Sequence, residues 1–413
     1  MRARTSARLG ADFSKLWIAS AISNVGDGVT MAAGPLLVAS LTGDPAQVAG
    51  AAFAQQLPWL LFALFSGVYV DRLDRRRLIV AVNLLRAVPL GVLALAIASG
   101  TAGVWLVYAA FFLLGVGETL ADTAYGALLP AVVPPDRLAA ANARLMATFT
   151  LANQFAAKPL GAWLFVVAPA LPFAVDALSF VAAAALVVAV RPAPPQPPDP
   201  SGDKPRADGV AAEIAAGLRT LWHDGLLRAL ALSMGVANIA FCAAFSVFVL
   251  YARQRLGLSD IGYGLLLTTF GVGGLAGTGI AARLQARFGA AALLRAGLLL
   301  EAATHAILAL TTAPFVAAAI LVVFGVHTMV WGIVATTACQ RAVPDRLRGR
   351  VGSVYSLLQV GGAAVGSLVG GSVARSLTVV APFGAAAAVT LVIAVVAWRP
   401  LGRASAVPGG GGA

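Results

Sequence analysis

An all-α integral membrane fold of twelve spanning helices, set as two similar six-helix halves, is predicted here by composition, by the placement of basic residues and by an internal repeat. Of 413 residues, 60% are hydrophobic and 11% charged, and the mean hydropathy is +0.88. An average soluble chain carries roughly a quarter charged residues, so a water-soluble fold could not hide this much apolar surface. The net charge of +12 does not indicate nucleic acid, because the cations fall between apolar runs rather than along one helix face. Cys242 and Cys339 have neither CxxC spacing nor a histidine cluster beside them, which argues against a disulfide framework and a metal site.

A spanning helix needs about 20 mostly apolar residues, and Gly, Pro and charge divide the chain accordingly. The first span, 16–41, follows a basic stretch with Arg2, Arg4, Arg8 and Lys15 and has no small-residue cleavage site, so it reads as an uncleaved helix. Gly43-Asp44-Pro45 opens the second, 46–70, and the charged run Asp71 to Arg77 precedes the third, 78–99. Gly100 and Gly103 lead into 103–128, Pro134 and Pro135 into 139–167, and Pro169 into 171–190. The second half repeats the pattern with 229–252, 260–282, 291–311, 314–338, 351–373 and 379–398.

Positive charge is retained in the cytoplasm, and with these spans 24 Lys and Arg residues fall on the side of the amino terminus against three, Arg253, Arg255 and Arg375, on the other. Both termini are therefore expected in the cytoplasm of a cell whose plasma membrane the chain crosses. Arg86 and Lys158 are left inside spans.

The stretch Arg191 to Gly209 is too rich in proline and charge to fold alone or enter lipid. It divides an amino-terminal bundle, 1–190, from a carboxy-terminal one, 229–400. Within the connecting segment 191–228, Ile214, Leu218, Leu221 and Trp222 have the spacing of a surface helix. Residues 401–413 read as a disordered tail. Pro135-Asp136-Arg137-Leu138 recurs as Pro344-Asp345-Arg346-Leu347, and Asp71-Arg72-Leu73 aligns with Ala282-Arg283-Leu284. Repeats of this kind, with a substrate site at their interface, are how many secondary transporters are built.

Gly67-Val68-Tyr69-Val70-Asp71-Arg72-Leu73-Asp74-Arg75-Arg76 resembles motif A of the major facilitator superfamily, in the loop after the second span where that family carries it. Four further patches resemble its branch of bacterial drug, macrolide and siderophore exporters related to the enterobactin exporter. They are Ser23-Asn24-Val25-Gly26-Asp27, Gln56-Leu57-Pro58, Asp176-Ala177-Leu178-Ser179-Phe180 and Glu213 to Arg219. Ala157-Lys158-Pro159-Leu160-Gly161-Ala162 stands where that branch has an antiporter motif, and the fourth span lacks the motif B arginine.

The resemblance implies the major facilitator fold and an intracellular gate built on Gly67, Asp71, Arg72, Arg75 and Arg76, for which Asp122 is the expected partner. It also implies that spans 1, 4, 7 and 10 line a cavity. Ionisable groups in hydrocarbon cost at least about 2.5 kcal/mol and so face a cavity or a partner. Asp27, roughly 18 Å along the first span from Lys15 by helical rise, and Glu118 are the leading candidates for binding a proton or cationic substrate. Asn24, Asn238, His327 and Trp331 are further cavity candidates. Glu301 and His305 stand four residues apart on the ninth span, where an internal hydrogen bond is the favoured role. Lys158 and Asp176 are expected to form an intramembrane ion pair. Glycines crowding the eighth and eleventh spans suit close helix approach.

No HExxH, GxSxG or GxxxxGK[ST] occurs, which argues against an intramembrane enzyme and an ATP-driven pump. The expectation is a secondary active, proton-coupled exporter of small amphipathic molecules (drug, macrolide or siderophore), acting by alternating access. An uptake carrier of the same fold or a non-transporting sensor is the alternative. The expected partners are the substrate, the proton and the lipid bilayer, with no cofactor, no metal and no second protomer.

Overall fold

The computed structural model describes residues 9–191, 218–219, 221–343 and 348–405, with the side chains of residues 63–72, 154, 348–350, 353, 356–357 and 405 outside that description. Among the described residues the chain is helical throughout, without strands. Two long helices open it: α1 (Ala11–Leu41) and α2 (Pro45–Arg72). Asp44 makes the corner between them, its Oδ1 accepting from the Ala46 amide at 2.9 Å.

α3 (Arg75–Ala98) starts at Asp74, whose carboxylate accepts from the Arg77 amide and satisfies one of the unpaired donors of the first turn. α4 (Val104–Val132) follows. The fifth predicted span is three pieces: α5 (Leu138–Phe149), a π-helical stretch (Thr150–Ala157) and α6 (Lys158–Val167). α7 (Leu171–Val188) completes the first half of the sequence.

After the proline-rich segment, most of which lies outside the described residues, α8 (Gly225–Phe245) is capped by Asp224, which accepts from the Leu226 and Leu227 amides. The predicted span 229–252 breaks at Ser246, and α9 (Phe248–Gln254) continues it. Then come α10 (Asp260–Phe288), α11 (Ala290–Leu310), α12 (Pro314–Ala342), α13 (Arg348–Ser376) and α14 (Ala381–Leu401).

Eight helices are long and apolar enough to cross a membrane among the described residues: α3, α4, α7, α8, α10, α11, α12 and α14. Of the other four predicted spans, two fall on α2 and α13, which contain side chains outside the described residues, and two differ for local reasons. The π stretch leaves α5 and α6 with 12 and 10 residues. α1 is long enough at 31 residues, but Ser20, Ser23, Asn24, Asp27 and Thr30 dilute its hydropathy.

The chain forms two compact units. Unit 1 is Met1–Gly34 with Leu61–Pro205, and unit 2 is Pro35–Leu60 with Arg206–Ala413. The division crosses α1 and α2 close to their internal prolines, Pro35 and Pro58, where the missing N–H frees a carbonyl and eases bending.

Unit 1 has an apolar core of Phe13, Leu16, Ile79, Ala124, Leu128, Ala183 and Val187, drawn from α1, α3, α4 and α7. In unit 2 the largest core joins Leu230 of α8, Leu294 and Leu298 of α11, Val334 of α12 and Ala394 of α14. Lipid tails are as apolar as leucine, so helices associate there by close van der Waals fit rather than by escape from water. Gly273 and Gly277 of α10 provide it against α12: a methyl at Gly277 would stand 2.7 Å from the Val326 carbonyl. The predicted helical face Leu221 and Trp222 is split, with Leu221 packed against Leu227, Val343 and Val351 while Trp222 is exposed. The α1–α2 corner belongs to unit 2, where Asp44 Oδ2 lies 3.5 Å from Arg375 Nε and Ala49 packs with Val247 and Ala374.

Candidate functional site

The charged centre of unit 1 is built around Arg86 of α3. Its Nη2 donates to Asp27 Oδ1 of α1 at 2.6 Å, and its side chain is only 6% exposed against 26% for Asp27. The guanidinium carbon lies 4.1 Å from the centroid of the Phe180 ring of α7, a cation–π contact. Gly117 of α4 makes room for the stem, since a Cβ there would stand in the place of the Arg86 methylenes. Glu118, Asp122 and Asp176 stand close enough to add their charge to that of Asp27 around the guanidinium. Arg86 Nε has no hydrogen-bond partner among the described residues, which leaves that donor unspent.

Asp27 is held toward Arg86 by the glycines on either side of it. Gly26 lies against Asp176 and Ser179 of α7, and Gly28 lies against Ala157 and the backbone of Asn153 in the π stretch. Asn153 Nδ2 donates to the Asn24 carbonyl at 3.0 Å, tying that stretch to α1. Wound as a π-helix, the segment presents its backbone to α1 at a point where regular α-helical hydrogen bonding is interrupted, a feature frequent at functional sites.

Asp176 is fully buried. Thr30 Oγ1 donates to its Oδ2 at 2.6 Å and Ser179 Oγ to its Oδ1 at 3.1 Å. The predicted Lys158–Asp176 ion pair is therefore not formed among the described residues. Two hydroxyls on α1 and α7 already satisfy the carboxyl, without the cost of desolvating an ammonium beside it.

The predicted gate is also redistributed. Gly67, Asp71 and Arg72 lie where side chains are outside the described residues. Arg75 Nη1 donates to the Ala127 carbonyl of α4 at 3.2 Å, and Arg76 Nη2 donates to the Val188 carbonyl at the end of α7. Both cations thus serve helix carbonyls, Arg76 favourably at a negative dipole end. Asp122 is not their partner here: it lies five residues before Ala127, about 7.5 Å along α4, in the field of Arg86 and Asp27. Lys15 bonds Asp12 at 2.9 Å and the Ala189 carbonyl at 2.8 Å. That ammonium holds the Asp12 carboxyl below its ordinary range.

Other predicted cavity residues are fasteners. Asn24 Nδ2 donates to the Ser20 carbonyl at 2.7 Å within α1. In unit 2, Asn238 of α8 donates to the Gln359 carbonyl of α13, and Trp331 Nε1 of α12 to the Leu294 carbonyl of α11 at 3.3 Å. His327 is 8% exposed, with Nε2 3.6 Å from Glu301 Oε2. Trp331 and His327 are thus packed between α11 and α12 rather than laid bare to a cavity.

A family model described as transmembrane secretion effector matches residues 7–405. The chain belongs to this family of the major facilitator superfamily. The chain is 29% identical over 391 residues to the multidrug efflux pump Tap of Mycolicibacterium fortuitum, covering 92% of this chain and 93% of that one. It is 26% identical over 126 residues to macrolide efflux protein A of Streptococcus pyogenes, covering 30% of this chain and 31% of that one.

Solved structures share the fold of the chain at low identity. A bacterial homolog of the lysosomal transporter Spinster superposes with TM-score 0.73 at 14% identity, covering 96% of each chain. A bacterial homologue of the iron transporter ferroportin gives 0.72 at 17% identity, covering 95% of this chain and 98% of that one. The nucleoside transporter NupG gives 0.72 at 11% identity, covering 95% of this chain and 99% of that one. The chain is a multi-pass membrane protein, and its relatives are transporters.

Sequence reasoning found Asp27, Glu118, Asp122 and Asp176 but not the residue that relates them. The signal was present: Arg86 is an arginine within an apolar span, and such a residue requires a partner at the same depth.

Proposed function

We propose that the chain is a proton-coupled secondary exporter of small amphipathic molecules, drug, macrolide or siderophore in class, working by alternating access. In this reading it crosses the plasma membrane twelve times as a monomer of two six-helix halves, with both termini in the cytoplasm. Kinship with efflux pumps supports export.

The observation that carries coupling is Arg86 bonded to Asp27 with Glu118, Asp122 and Asp176 around it. Arg86 commits Nη2 to Asp27 while its Nε has no partner among the described residues. When Asp27 takes a proton, or accepts the cationic end of a substrate, its claim on Arg86 is cancelled and the arginine turns to another carboxylate. Bound charge is thereby converted into movement of α1 against α3, which is the event an exchanger needs.

The test is transport by purified protein in proteoliposomes with an imposed pH gradient, using panels of macrolides, cationic dyes and siderophores. Gradient-dependent export of at least one class, lost in Asp27→Asn at normal abundance, is the expected result. Export unaffected by Asp27→Asn would remove the coupling role, and no flux of any class would remove the reading.

A further inference from the structure

Unit 2 holds a second group of ionisable side chains that the Arg86 centre does not use. Glu301 and His305 are one turn apart on α11, and His327 reaches them from α12; they are 7%, 2% and 8% exposed. His327 Nε2 and Glu301 Oε2 are 3.6 Å apart, in ion-pair range but beyond a good hydrogen bond. Neither ring nitrogen of His305 has a hydrogen-bond partner among the described residues, a costly condition for a polar group enclosed by apolar walls.

Those walls are aromatic. The Phe324 ring lies 5.8 Å from both imidazoles, edge-on to His305, with Phe270 of α10 and Phe241 of α8 tilted against it. Gly297 of α11 provides the space for His327, because a methyl there would come within 2.7 Å of the imidazole carbon Cε1. Among the described residues, Glu301 and His327 are the titratable groups that act on His305. The three side chains are therefore enclosed by aromatic walls, with both imidazole nitrogens of His305 unbonded among the described residues.

We infer that Glu301, His305 and His327 form a proton-binding site of unit 2, distinct from the Arg86 centre. A hydronium ion gives up a proton, its O–H bond breaking and water leaving, and the proton bonds to His327 Nε2, where it faces Glu301 Oε2 and turns a loose approach into a charge-assisted hydrogen bond. His305 is the second acceptor, one turn along α11. The site does not depend on the direction of transport or on the cargo.

The chain has three histidines. The third, His223, is exposed and contacts only the Arg219 carbonyl at 2.7 Å among the bonds seen, so it serves as an internal reference. Nuclear magnetic resonance of protein labelled at histidine, titrated from about pH 4 to about pH 9, reads all three, with His223→Gln and His305→Gln giving the assignments. The expected result is that the His305 and His327 signals respond to pH and that the His327 response is altered in Glu301→Gln.

Flat His305 and His327 signals, or a His327 response untouched by Glu301→Gln, would each overturn the inference. Should Glu301→Gln fail to fold, the wild-type titration decides alone: His305 and His327 signals that respond to pH uphold the site and flat ones overturn it.

Discussion

Arg86 Nη2 and Asp27 Oδ1 meet at 2.6 Å between α3 and α1, and the two residues differ in exposure, the arginine being almost fully enclosed while the carboxylate is partly open. Removing one partner of such a pair strands the other charge. Arg86→Gln should therefore cost about 3 kcal/mol, at the lower end for buried pairs because Asp27 is not fully enclosed. Asp27→Asn combined with Arg86→Gln should cost less than Arg86→Gln alone. Unfolding of the purified variants in lipid–detergent micelles measures both, and strictly additive losses would contradict the pair.

Thr30 and Ser179 satisfy Asp176, so Thr30→Val should leave a buried carboxyl oxygen short of a donor and cost about 1–3 kcal/mol. The complementary charge swap, Lys158→Asp with Asp176→Lys, should not recover folding lost in either single change. Rescue by the swap, read from membrane abundance and thermal melting, would reinstate the ion pair.

Glycine spacing gives a contrast inside one protein. Gly26 and Gly28 face occupied space, whereas Gly279 on α10 faces none within 4 Å. Gly26→Ala and Gly28→Ala should lower the melting temperature and disturb Asp27. Gly279→Ala should be neutral or stabilising by up to about 1 kcal/mol, the helix-propensity difference between the two residues. Equal effects at all three sites would refute the close approach of α1 to its neighbours.

Asp74 occupies a motif position where the superfamily carries glycine, and its carboxylate caps α3. Asp74→Ala should cost about 1 kcal/mol, and Asp74→Gly only a few tenths, as for other helix caps. Melting curves for the two variants side by side provide the check.

Asp12 is held below the ordinary carboxylate range by its bond to Lys15. Its contribution to stability is thus present above the unfolded-state pKa and lost as the pH falls through the folded one. Wild type should lose more of its melting temperature than Asp12→Asn between about pH 5 and about pH 2, with the Lys15 bond removed in both at the acid end. The difference is small because both side chains are about one-third exposed.

Hydropathy and loop punctuation made the helical class and most helix boundaries legible. α10 at Asp260–Phe288 and α12 at Pro314–Ala342 begin where Asp260 and Pro314 suggested. The interruption of the fifth span could not be read, because a π-helix differs from an α-helix in hydrogen-bond register and not in composition. The acidic members of the candidate site were legible as charges in apolar runs. Their partners were not, because Lys158 and Arg86 are equivalent cations in sequence, and only packing decides that Arg86 meets Asp27 while hydroxyls meet Asp176. The histidine that the family resemblance put beside a cavity faces Glu301 for the same reason: periodicity fixes a helix, but the face it turns to a neighbour is set by Gly297 and the rings around it.

A π-helical turn takes up one more residue than an α-helical turn, so the stretch Thr150–Ala157 absorbs an extra residue while the helix beyond it keeps its facing. Deleting one residue within it would close the wide turn and remove the approach of the Asn153 backbone and Ala157 to Gly28, while Gly161 would keep its place against the Val29 backbone. A single-codon deletion would act there as a local edit of the contact beside Asp27, whereas in a regular helix it would turn every later residue by roughly 100° about the axis.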